Sequence, residues 1–478
     1  MSIIMSTAAA ESTKAKKKFK VPHIFIILTG ILLIVSILTY ILPAGEFVRV
    51  EGPDGREIID PTSYHVVESN PTSLLDLFVA IPQGFVEAGW VVVLTFCVGG
   101  GFVVVKKTMA IHGAIDVLSN KLSKRGIIII PILMVTFATI DCFIGMCELT
   151  MVYVPIILPL MLALGFDSMT AAAVALCGSA AGFTAALANP FTVGIGQKIA
   201  GLPLYSGWQF RLVVLIVMVT VGCAYVMRYA AKVKKNPQSS SMYEQDLEAR
   251  KDLDTDNREH VILNTRQKLA GVSAVLLFAL MIVGVFKWGW DMPQIGGIFI
   301  AIGVVAGLIS GMKGDEICEA FYEGCKDVLL GALIVGVARG VGVVMTDAKL
   351  IDTVINGLAH LVQGLPPMIT SVGMLIVQTL MNFLIPSGSG QTVVTMPIMA
   401  PLADLVGVTR QTAILALQFG DGFSNILYPV SGYFMATLAL AKVPWEKWVK
   451  FILPLFAIWS ALAAVALIVA QAIQWGPF

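Results

Sequence analysis

Long apolar runs occupy most of this chain, and they limit what it can fold into. Hydrophobic residues make up 57% of the 478 residues and charged residues only 13%, whereas soluble domains carry about 25% charged residues. A helix that crosses a bilayer needs about 20 apolar residues, and in lipid its backbone must satisfy its own hydrogen bonds. The sequence therefore predicts an all-α polytopic membrane protein surrounded by the lipid bilayer. About nine full crossings are expected, at 22–42, 88–106, 168–200, 208–229, 268–287, 293–311, 325–345, 409–440 and 447–472.

Two further apolar regions, 126–165 and 368–405, are long but interrupted near the middle. The interruptions are "IDCFIGMCELT" at 140–150 and "NFLIPSGSGQT" at 382–392. Polar or small residues interrupt both regions, and in the second region Pro386 and the run of serine and glycine are poorly suited to a continuous helix. We interpret both regions as re-entrant helical hairpins. A pair of short spans in place of either hairpin would satisfy the charge pattern equally well.

Basic residues indicate how the chain is oriented. A basic stretch from Lys14 to Lys20 precedes the first span, so the positive-inside rule places the N-terminal segment 1–21 in the cytoplasm. Two other basic segments, 106–125 and the polar linker 230–267, then fall on the same side. This is the arrangement expected in the inner (cytoplasmic) membrane of a bacterium. The net charge of +1 gives no field that would attract nucleic acid.

The two halves of the chain resemble each other. "VPIILPLMLALGFDSMTAAAVAL" from Val154 matches "MPIMAPLADLVGVTRQTAILALQ" from Met396 at an offset of 242 positions, with prolines and glycines in register. Five predicted crossings separate the hairpins, so the hairpins enter from opposite faces. This predicts inverted-topology repeats, which are known from secondary transporters with a midplane substrate site. The predicted units are a first repeat, 22–229 (hairpin 126–165, broken helix 168–200), and a second repeat, 268–478 (hairpin 368–405, broken helix 409–440).

Polar and helix-breaking residues gather at four points. These are the two hairpin interruptions and two breaks inside apolar helices, "LANPFTVG" at 187–194 and "SNILYPVSG" at 424–432. Irregular backbone at membrane depth is tolerated where it lines a wet cavity or is buried in protein, and half-helix ends can face ions. We therefore predict one solute site at these breaks. Its candidate residues are Asp141, Glu148, Thr150, Asn189, Pro190, Thr192, Ser387, Ser389, Gln391, Thr392, Asp421, Asn425, Ser431 and Arg339.

Charged side chains inside the apolar segments suggest the nature of the solute. Each costs at least about 2.5 kcal/mol at the bilayer centre, so each needs a partner or a function. Asp141 and Glu148 flank the first interruption, and Asp421 lies beside the second helix break. This acidic bias favours a cationic group in the site: a substrate ammonium or guanidinium, Na+ or H+. Arg339 is either half of an internal ion pair or a contact for a charged substrate.

Signatures of enzymes and cofactors are absent from the sequence. No HExxH, GxxxxGK[ST] or GxSxG motif occurs, the five histidines are dispersed, and the seven cysteines form no CxxC pair. We therefore expect a protein that is not an enzyme and carries no cofactor. Its partners would be a small-molecule substrate and a coupling ion, Na+ or H+. A channel in which the broken helices line a pore is another hypothesis.

Three motifs are similar to those of a known family. "NPFTVGIGQKIAGLPLYSGWQFR" (189–211), "IPSGSGQTVVTMPIMAPLADLVGVTRQ" (385–411) and "LQFGDGFSNILYPVSGY" (417–433) resemble the YfcC family of DcuC-type carriers, in the ion transporter superfamily. The likeness extends over most of the chain, 20–475. It implies inverted repeats, a homodimer, and a transport domain that moves like an elevator against a scaffold. Members of the YfcC family are usually described as basic amino acid antiporters, and the wider group includes C4-dicarboxylate carriers and arginine–ornithine exchangers.

The predicted hairpin tips depart from one pattern in that superfamily. Related sodium-coupled carriers have Ser-Asn-Thr there, whereas this chain has "CELT" at 147–150 and "SGQT" at 389–392. If Na+ binds, the resemblance places it near Asn189 and Ser389. We expect a secondary transporter, an antiporter or ion-coupled carrier, for a small amino acid of the basic arginine or ornithine type. A C4-dicarboxylate carrier is the alternative.

Overall fold

The computed structural model describes residues 24–51, 57–60, 62–110, 126–247, 263–362 and 364–476. The predicted N-terminal segment 1–21 and parts of the basic segments 106–125 and 230–267 lie outside the described residues. The described chain is almost entirely helical. Its helices are α1 (Ile24–Ile41), α2 (Leu74–Glu87), α3 (Gly89–Lys107), α4 (Ile129–Ile144), α5 (Leu149–Ala163), α6 (Ser168–Thr184), α7 (Ile195–Ile199), α8 (Trp208–Lys235), α9 (Thr265–Trp288), α10 (Met292–Ser310), α11 (Gly314–Asp347), α12 (Ile351–Val362), α13 (Pro367–Leu384), α14 (Gly388–Leu405), α15 (Arg410–Ser424), α16 (Gly432–Leu440) and α17 (Trp445–Ala472).

Nine helices in the described part are long and apolar enough to cross a membrane: α1, α3, α4, α8, α9, α10, α11, α13 and α17. The chain is therefore a multi-pass membrane protein. The predicted number of spans agrees. The helices 168–200 and 409–440 were predicted to be broken, and neither segment contains a helix long enough to be one of the nine. Segments 168–200 and 409–440 are each divided into two shorter helices, whereas α4 and α13, the first arms of the predicted hairpins, have the length of a span. The division follows from residues such as Pro190, which cannot continue a regular helix.

The helices pack in two groups. The first group contains α1, α2, α3, α9, α10 and α11, with α11 along α2 and α3 and with α10 against α3. Helices α3 and α11 approach closely because Gly99 and Gly324 lack a Cβ that would meet the opposite backbone. The second group contains α4 to α8, α13 to α15 and α17, with α6 and α15 in contact at its centre. Helix α16 joins the groups because it packs against both α11 and α5.

Two short antiparallel strand pairs lie between α1 and α2. They are β1 (Gly45–Glu46) with β4 (His65–Val66), and β2 (Arg49–Glu51) with β3 (Glu57–Ile59). The side chain of Arg49 pairs with the carboxylate of Asp352 on α12 at 2.9 Å, and the backbone N–H of Phe47 donates to it at 3.0 Å. These bonds fasten the strands to the helix that precedes α13.

The polar segment predicted as a linker is folded in its described first part. Helix α8 continues to Lys235, and residues 236–247 turn back onto the helices. Ser240 donates a hydrogen bond to the buried carboxylate of Asp167 at 2.5 Å, and Tyr229 donates to the same carboxylate at 2.7 Å. Composition had suggested a polar linker over the whole of 230–267. The start of the segment is fixed instead because its hydroxyl completes the bonding of a buried acid.

Candidate solute-binding site

A cavity of about 260 Å³ lies where the two helix interruptions meet the two helix breaks. We call residues 145–148, between α4 and α5, the first tip, and residues 385–389, between α13 and α14, the second tip. The tips contribute most of the lining: Gly145, Met146, Cys147, Glu148, Pro386, Ser387, Gly388 and Ser389. The broken helices and the start of α10 complete it with Phe183, Phe191, Asn425, Tyr433, Asp291 and Met292. The structure thus brings both interruptions to one small cavity.

The first tip forms because α4 ends at a glycine in a left-handed conformation. Gly145 has φ +69°, and its N–H donates to the carbonyl of Asp141 at 2.9 Å. A Cβ at this position would overlap the side chain of Asn189, so the tip also depends on a close approach to the first helix break. Glycine meets both requirements, since it tolerates positive φ and has no side chain.

The second tip is shaped by Pro386 and Ser387. Ser387 is the N-cap of α14, and its side chain accepts a hydrogen bond from the N–H of Gly390 at 3.4 Å. The start of α14 therefore faces the cavity, where first-turn N–H groups lack helical partners. A Cβ on Gly388 would lie 2.8 Å from Asp421 Oδ2 and 2.9 Å from the Phe183 ring. The tip and the second broken helix can be this close only because residue 388 is glycine.

The first helix break separates α6 from the π-helical turn Pro190–Gly194. The side-chain oxygen of Asn189 caps that turn by accepting hydrogen bonds from the N–H groups of Phe191 and Thr192, at 2.8 and 3.4 Å. The carbonyl of Ala186 within the break accepts a hydrogen bond from the side chain of Gln418 at 3.1 Å. The second broken helix therefore supplies a hydrogen bond to a backbone carbonyl of the first that has no partner within its own helix.

A buried cluster lies at the second helix break, formed by Asn425 of the break, Asp421 of α15 and Asn382 near the end of α13. The amide of Asn425 donates to Asp421 Oδ1 at 2.9 Å, and the amide of Asn382 donates to the Asp421 carbonyl at 3.0 Å. Three buried oxygens nevertheless lack a hydrogen-bond partner: Asn382 Oδ1, Asp421 Oδ2 and Asn425 Oδ1. An unsatisfied buried polar atom costs about 1–3 kcal/mol. Three together indicate a place for a ligand.

Acidic side chains dominate the electrostatics of the site. Glu148 and Asp291 line the cavity, and no Lys, Arg or His in the described part of the chain does so. Asp141 is fully buried and accepts a hydrogen bond from Ser179 at 2.6 Å. No ion pair between described residues involves Asp141, Glu148 or Asp421. The cavity is thus suited to a group that carries positive charge.

Four of the predicted site residues line the cavity, namely Glu148, Ser387, Ser389 and Asn425. Most of the others lie behind its wall. They are buried within the two breaks and tips without lining the cavity: Asp141, Thr150, Asn189, Thr192, Gln391, Thr392, Asp421 and Ser431. Two hydroxyls in this set are used inside the protein, because Thr150 shares a hydrogen bond with Thr437 at 2.9 Å and Thr392 donates to the Gly388 carbonyl at 2.6 Å.

Two predicted site residues lie elsewhere. Pro190 is exposed and acts as the first residue of the π-helical turn. Arg339 is on α11 in the first helix group, where its guanidinium pairs with Glu87 at 2.8 Å. Of the two interpretations given for Arg339, the structure supports the internal ion pair, because Glu87 on α2 lies beside its guanidinium. The sequence alone could not show that these two residues are neighbours.

The lining residues outside the predicted set include three aromatic residues, Phe183, Phe191 and Tyr433, and one acid, Asp291. The aromatic residues lie within or next to the two helix breaks in sequence, and this position is a signal that could have identified them. Asp291 offers no such signal, since it lies between two ordinary spans.

The fully buried Arg211 was also missed. Its guanidinium donates to the side-chain oxygens of Gln418 and Gln411, at 2.9 and 3.0 Å. Because Gln418 in turn bonds the carbonyl of Ala186, Arg211 supports the first break indirectly.

Comparison with known proteins identifies the family. A sequence model of the DcuC family, described as "C4-dicarboxylate anaerobic carrier", matches residues 21–472. The "Putative basic amino acid antiporter YfcC" of Escherichia coli K12 is 31% identical, over 97% of this chain and 99% of that protein. An uncharacterized protein of Haemophilus influenzae is 29% identical, over 96% of this chain and 98% of its own length.

Two solved structures align with nearly the whole chain at low similarity. MtrF of Neisseria gonorrhoeae, described among antimetabolite efflux pumps, is 18% identical with a TM-score of 0.39, covering 96% of both chains. The YdaH transporter of Alcanivorax borkumensis is 17% identical with a TM-score of 0.39, covering 95% of this chain and 100% of that one. These scores are too low to bear on the site. The family model and the full-length relatives decide the assignment, and they confirm the resemblance seen in the motifs: the chain belongs to the DcuC family and is a membrane transporter of the YfcC/DcuC type.

Proposed function

We propose that this protein is a secondary active transporter that moves a small basic amino acid, of the arginine or ornithine type, across the cytoplasmic membrane. The observation that carries this proposal is the acidic cavity. Glu148 and Asp291 line it without a basic neighbour among the described lining residues. Glu148 is half-buried there, and a charge partly removed from water is stabilised by an opposite charge nearby, which a cationic substrate supplies. Asp291 is exposed and adds its negative charge to the same lining. The printed name of the relative YfcC agrees with this substrate class.

The cavity offers complementary groups for such a substrate. A basic amino acid carries two cationic groups and one carboxylate. Glu148 can accept charge-assisted hydrogen bonds from a cationic group. The first N–H groups of α14, at Gly388 and Ser389, face the cavity and suit a carboxylate. The rings of Phe191 and Tyr433 line the same cavity, where an aromatic face can attract a guanidinium or ammonium.

The proposed motion is a rigid-body, elevator-like shift of the second helix group against the first. The tips and the first break belong to the second group, and the second break leads into α16, which packs against both groups. Asp291 belongs to the first group, so the cavity lies at the seam between the two. A homodimer, with the scaffold at its centre and the N-terminus in the cytoplasm, is part of this proposal.

Glycine contacts in the first group support inverted repeats. A Cβ on Gly84 would overlap the backbone at Gly340, and a Cβ on Gly324 would overlap the backbone at Gly100. The same shift in residue number converts Gly84 into Gly324 and Gly100 into Gly340. The contact between Gly84 and Gly340 therefore corresponds to the contact between Gly324 and Gly100 with the two repeats exchanged. Such paired contacts are expected when two repeats are related by a two-fold axis.

A coupling cation, Na+ or H+, is part of the proposal. The two places suggested for Na+ differ in their fit. Near Asn189, the side-chain oxygen already caps the π-helical turn, and the unpaired atom is the amide nitrogen, so the side chain offers no oxygen to a metal ion. Beside Gly388, which precedes Ser389, Asp421 Oδ2 has no hydrogen-bond partner, and a second unpaired oxygen, Asn382 Oδ1, belongs to the same buried cluster. Oxygen donors of this kind suit a hard cation. A cation bound there would neutralise Asp421.

Counterflow in liposomes tests the proposed function. Purified protein is reconstituted into liposomes loaded with ornithine, and labelled arginine is added outside. We expect saturable uptake of arginine that depends on internal ornithine, whereas a channel would give conductance without saturation. No uptake or counterflow across a panel of basic amino acids, by a protein that is folded and reconstituted, would refute the substrate class.

C4-dicarboxylate transport is the second candidate. The family model is described by that substrate, and the N-terminus of α14 at the cavity is a place where an anion can bind. However, no Lys, Arg or His among the described lining residues could pair with the second carboxylate, and Arg339 is paired outside the cavity. Uptake of labelled succinate or fumarate that is lost in Arg339→Ala would favour this candidate. Uptake of arginine that is unaffected by excess succinate would exclude it.

A further inference from the structure

Asp291 is the only acidic side chain that the first helix group supplies to the cavity, among the lining residues described. Its structural role is clear: it caps α10 by accepting a hydrogen bond from the N–H of Met292 at 2.8 Å. Its own N–H donates to the side chain of Gln294 at 3.1 Å, which completes a capping box. Asn and Ser cap helices about as well as Asp. Capping therefore does not require the negative charge.

The charge of Asp291 stands in the same cavity as the charge of Glu148. Two carboxylates that share a small space repel each other unless positive charge lies between them. Asn425 lines this cavity as well, is only 3% exposed, and its Oδ1 has no hydrogen-bond partner. The cavity thus combines a buried acceptor that has no partner, Asn425 Oδ1, with two carboxylates that come from different helix groups. These three acceptors suit a ligand that carries more than one cationic or hydrogen-bond-donating group.

We propose that Asp291 determines the specificity for basic over neutral amino acids on the side from which this cavity opens. In this inference, which rests on the proposed function, Glu148 and Asp291 each attract one of the two cationic groups of the substrate. The substrate class is thereby a diamino or guanidino amino acid. Glu148 moves with the second helix group, whereas Asp291 stays with the first. Since the linker 230–267 is predicted in the cytoplasm, the connection between α9 and α10 that carries Asp291 is expected on the outer side. The contribution of Asp291 is accordingly restricted to the outward-facing state and disappears when the tips have moved inward.

The test compares variants that keep the helix cap but lose the charge. Asp291→Asn and Asp291→Ser are assayed in liposomes of known orientation, with arginine and with citrulline, its neutral analogue of similar shape. The control is Asp76→Asn, because Asp76 is an exposed capping-box acid of α2 that does not line the cavity. Transport is measured from the outer and from the inner face, at low and at high ionic strength.

We expect both Asp291 variants to raise KM for external arginine about three- to tenfold at low ionic strength, with kcat nearly unchanged. The difference should shrink at high ionic strength because salt screens a charge at a cavity mouth. KM for citrulline and KM for arginine at the inner face should stay unchanged, as should every constant of Asp76→Asn.

Two results would overturn this inference while leaving the proposed function intact. The first is a wild-type preference for arginine over citrulline that persists in both Asp291 variants, which would leave Asp291 as a helix cap. The second is an equal increase of KM for arginine in Asp76→Asn, which would indicate that any negative charge on the surface attracts the substrate and that Asp291 has no special role. By contrast, wild-type protein that transports no basic amino acid would refute the proposed function itself.

Discussion

Replacing Glu148 by glutamine removes a negative charge from the cavity and little else. Glu148 precedes α5 but its side chain makes no capping bond, and it has no ion-pair partner among the described residues. No other charge is therefore left unpaired by the change. Glutamine has nearly the same shape and can still donate and accept hydrogen bonds. The variant thus reports on the interaction between Glu148 and a substrate.

The expected loss follows from the strength of a hydrogen bond to a charged group, which is about 1.5–3 kcal/mol. Because Glu148 is half-buried rather than enclosed, we expect the lower part of this range. That corresponds to a roughly ten- to thirtyfold loss of affinity for arginine. The Tm should be unchanged, since the Glu148 side chain makes no capping bond and no ion pair with any described residue.

The assay is the arginine concentration dependence of ornithine-driven counterflow, with direct binding measured on the same preparation. The control variant is Glu319→Gln, at an exposed position of α11 that is outside the cavity. If Glu148→Gln and Glu319→Gln both bind arginine with the affinity of the wild type, the assignment of Glu148 as the partner of a cationic group is refuted.

Three further substitutions test how the site is held. Gly145→Ala should lower the Tm and impair transport, because a positive φ costs a non-glycine residue about 1–2 kcal/mol and the added methyl group would overlap Asn189. The control is Gly165→Ala, at a residue with φ +85° and open space around it. This control should show the cost of backbone strain alone and retain transport. Arg339→Gln should leave KM for arginine unchanged and cost no more than about 1 kcal/mol of stability, since its pair with Glu87 is partly exposed; a large rise in KM would contradict the ion-pair interpretation. Arg211→Lys should lower the Tm markedly in a melting assay, because a lysine cannot reproduce two bonds from a planar guanidinium; a Tm equal to that of the wild type would contradict the role given to Arg211.

The sequence predicted the helix interruptions well because they depend on local chemistry. Pro386 and Pro190 cannot continue a regular helix, and Gly145 permits the turn at the first tip. The predicted interruptions at 140–150 and 382–392 contain the two tips that line the cavity. The same local signals do not show which side chains face the cavity. Gln391, for example, lies at the second tip in sequence but is buried against Gln378 on α13, to which it donates at 2.7 Å.

The residues that sequence analysis missed depend on tertiary contacts. Asp291 lies between two ordinary spans and joins the cavity only because α10 packs beside the tips. Arg339 looked like a site residue because no local pattern shows that Glu87, some 250 positions earlier, pairs with it. Thr150 has the residue type of a ligand, yet Thr437 takes its hydroxyl. Pairings between distant segments are therefore where the prediction and the structure differ.

Protection of Cys147 by substrate tests the central claim most directly, because this cysteine lines the cavity at the first tip. In a variant with Cys147 as its single cysteine, a small thiol reagent is added with increasing concentrations of arginine or of succinate. A cationic substrate in the cavity predicts that arginine slows the labelling of Cys147, with half-maximal protection near its KM for transport, and that succinate does not. Unchanged labelling at concentrations of arginine that saturate transport, or protection by succinate alone, would contradict the account.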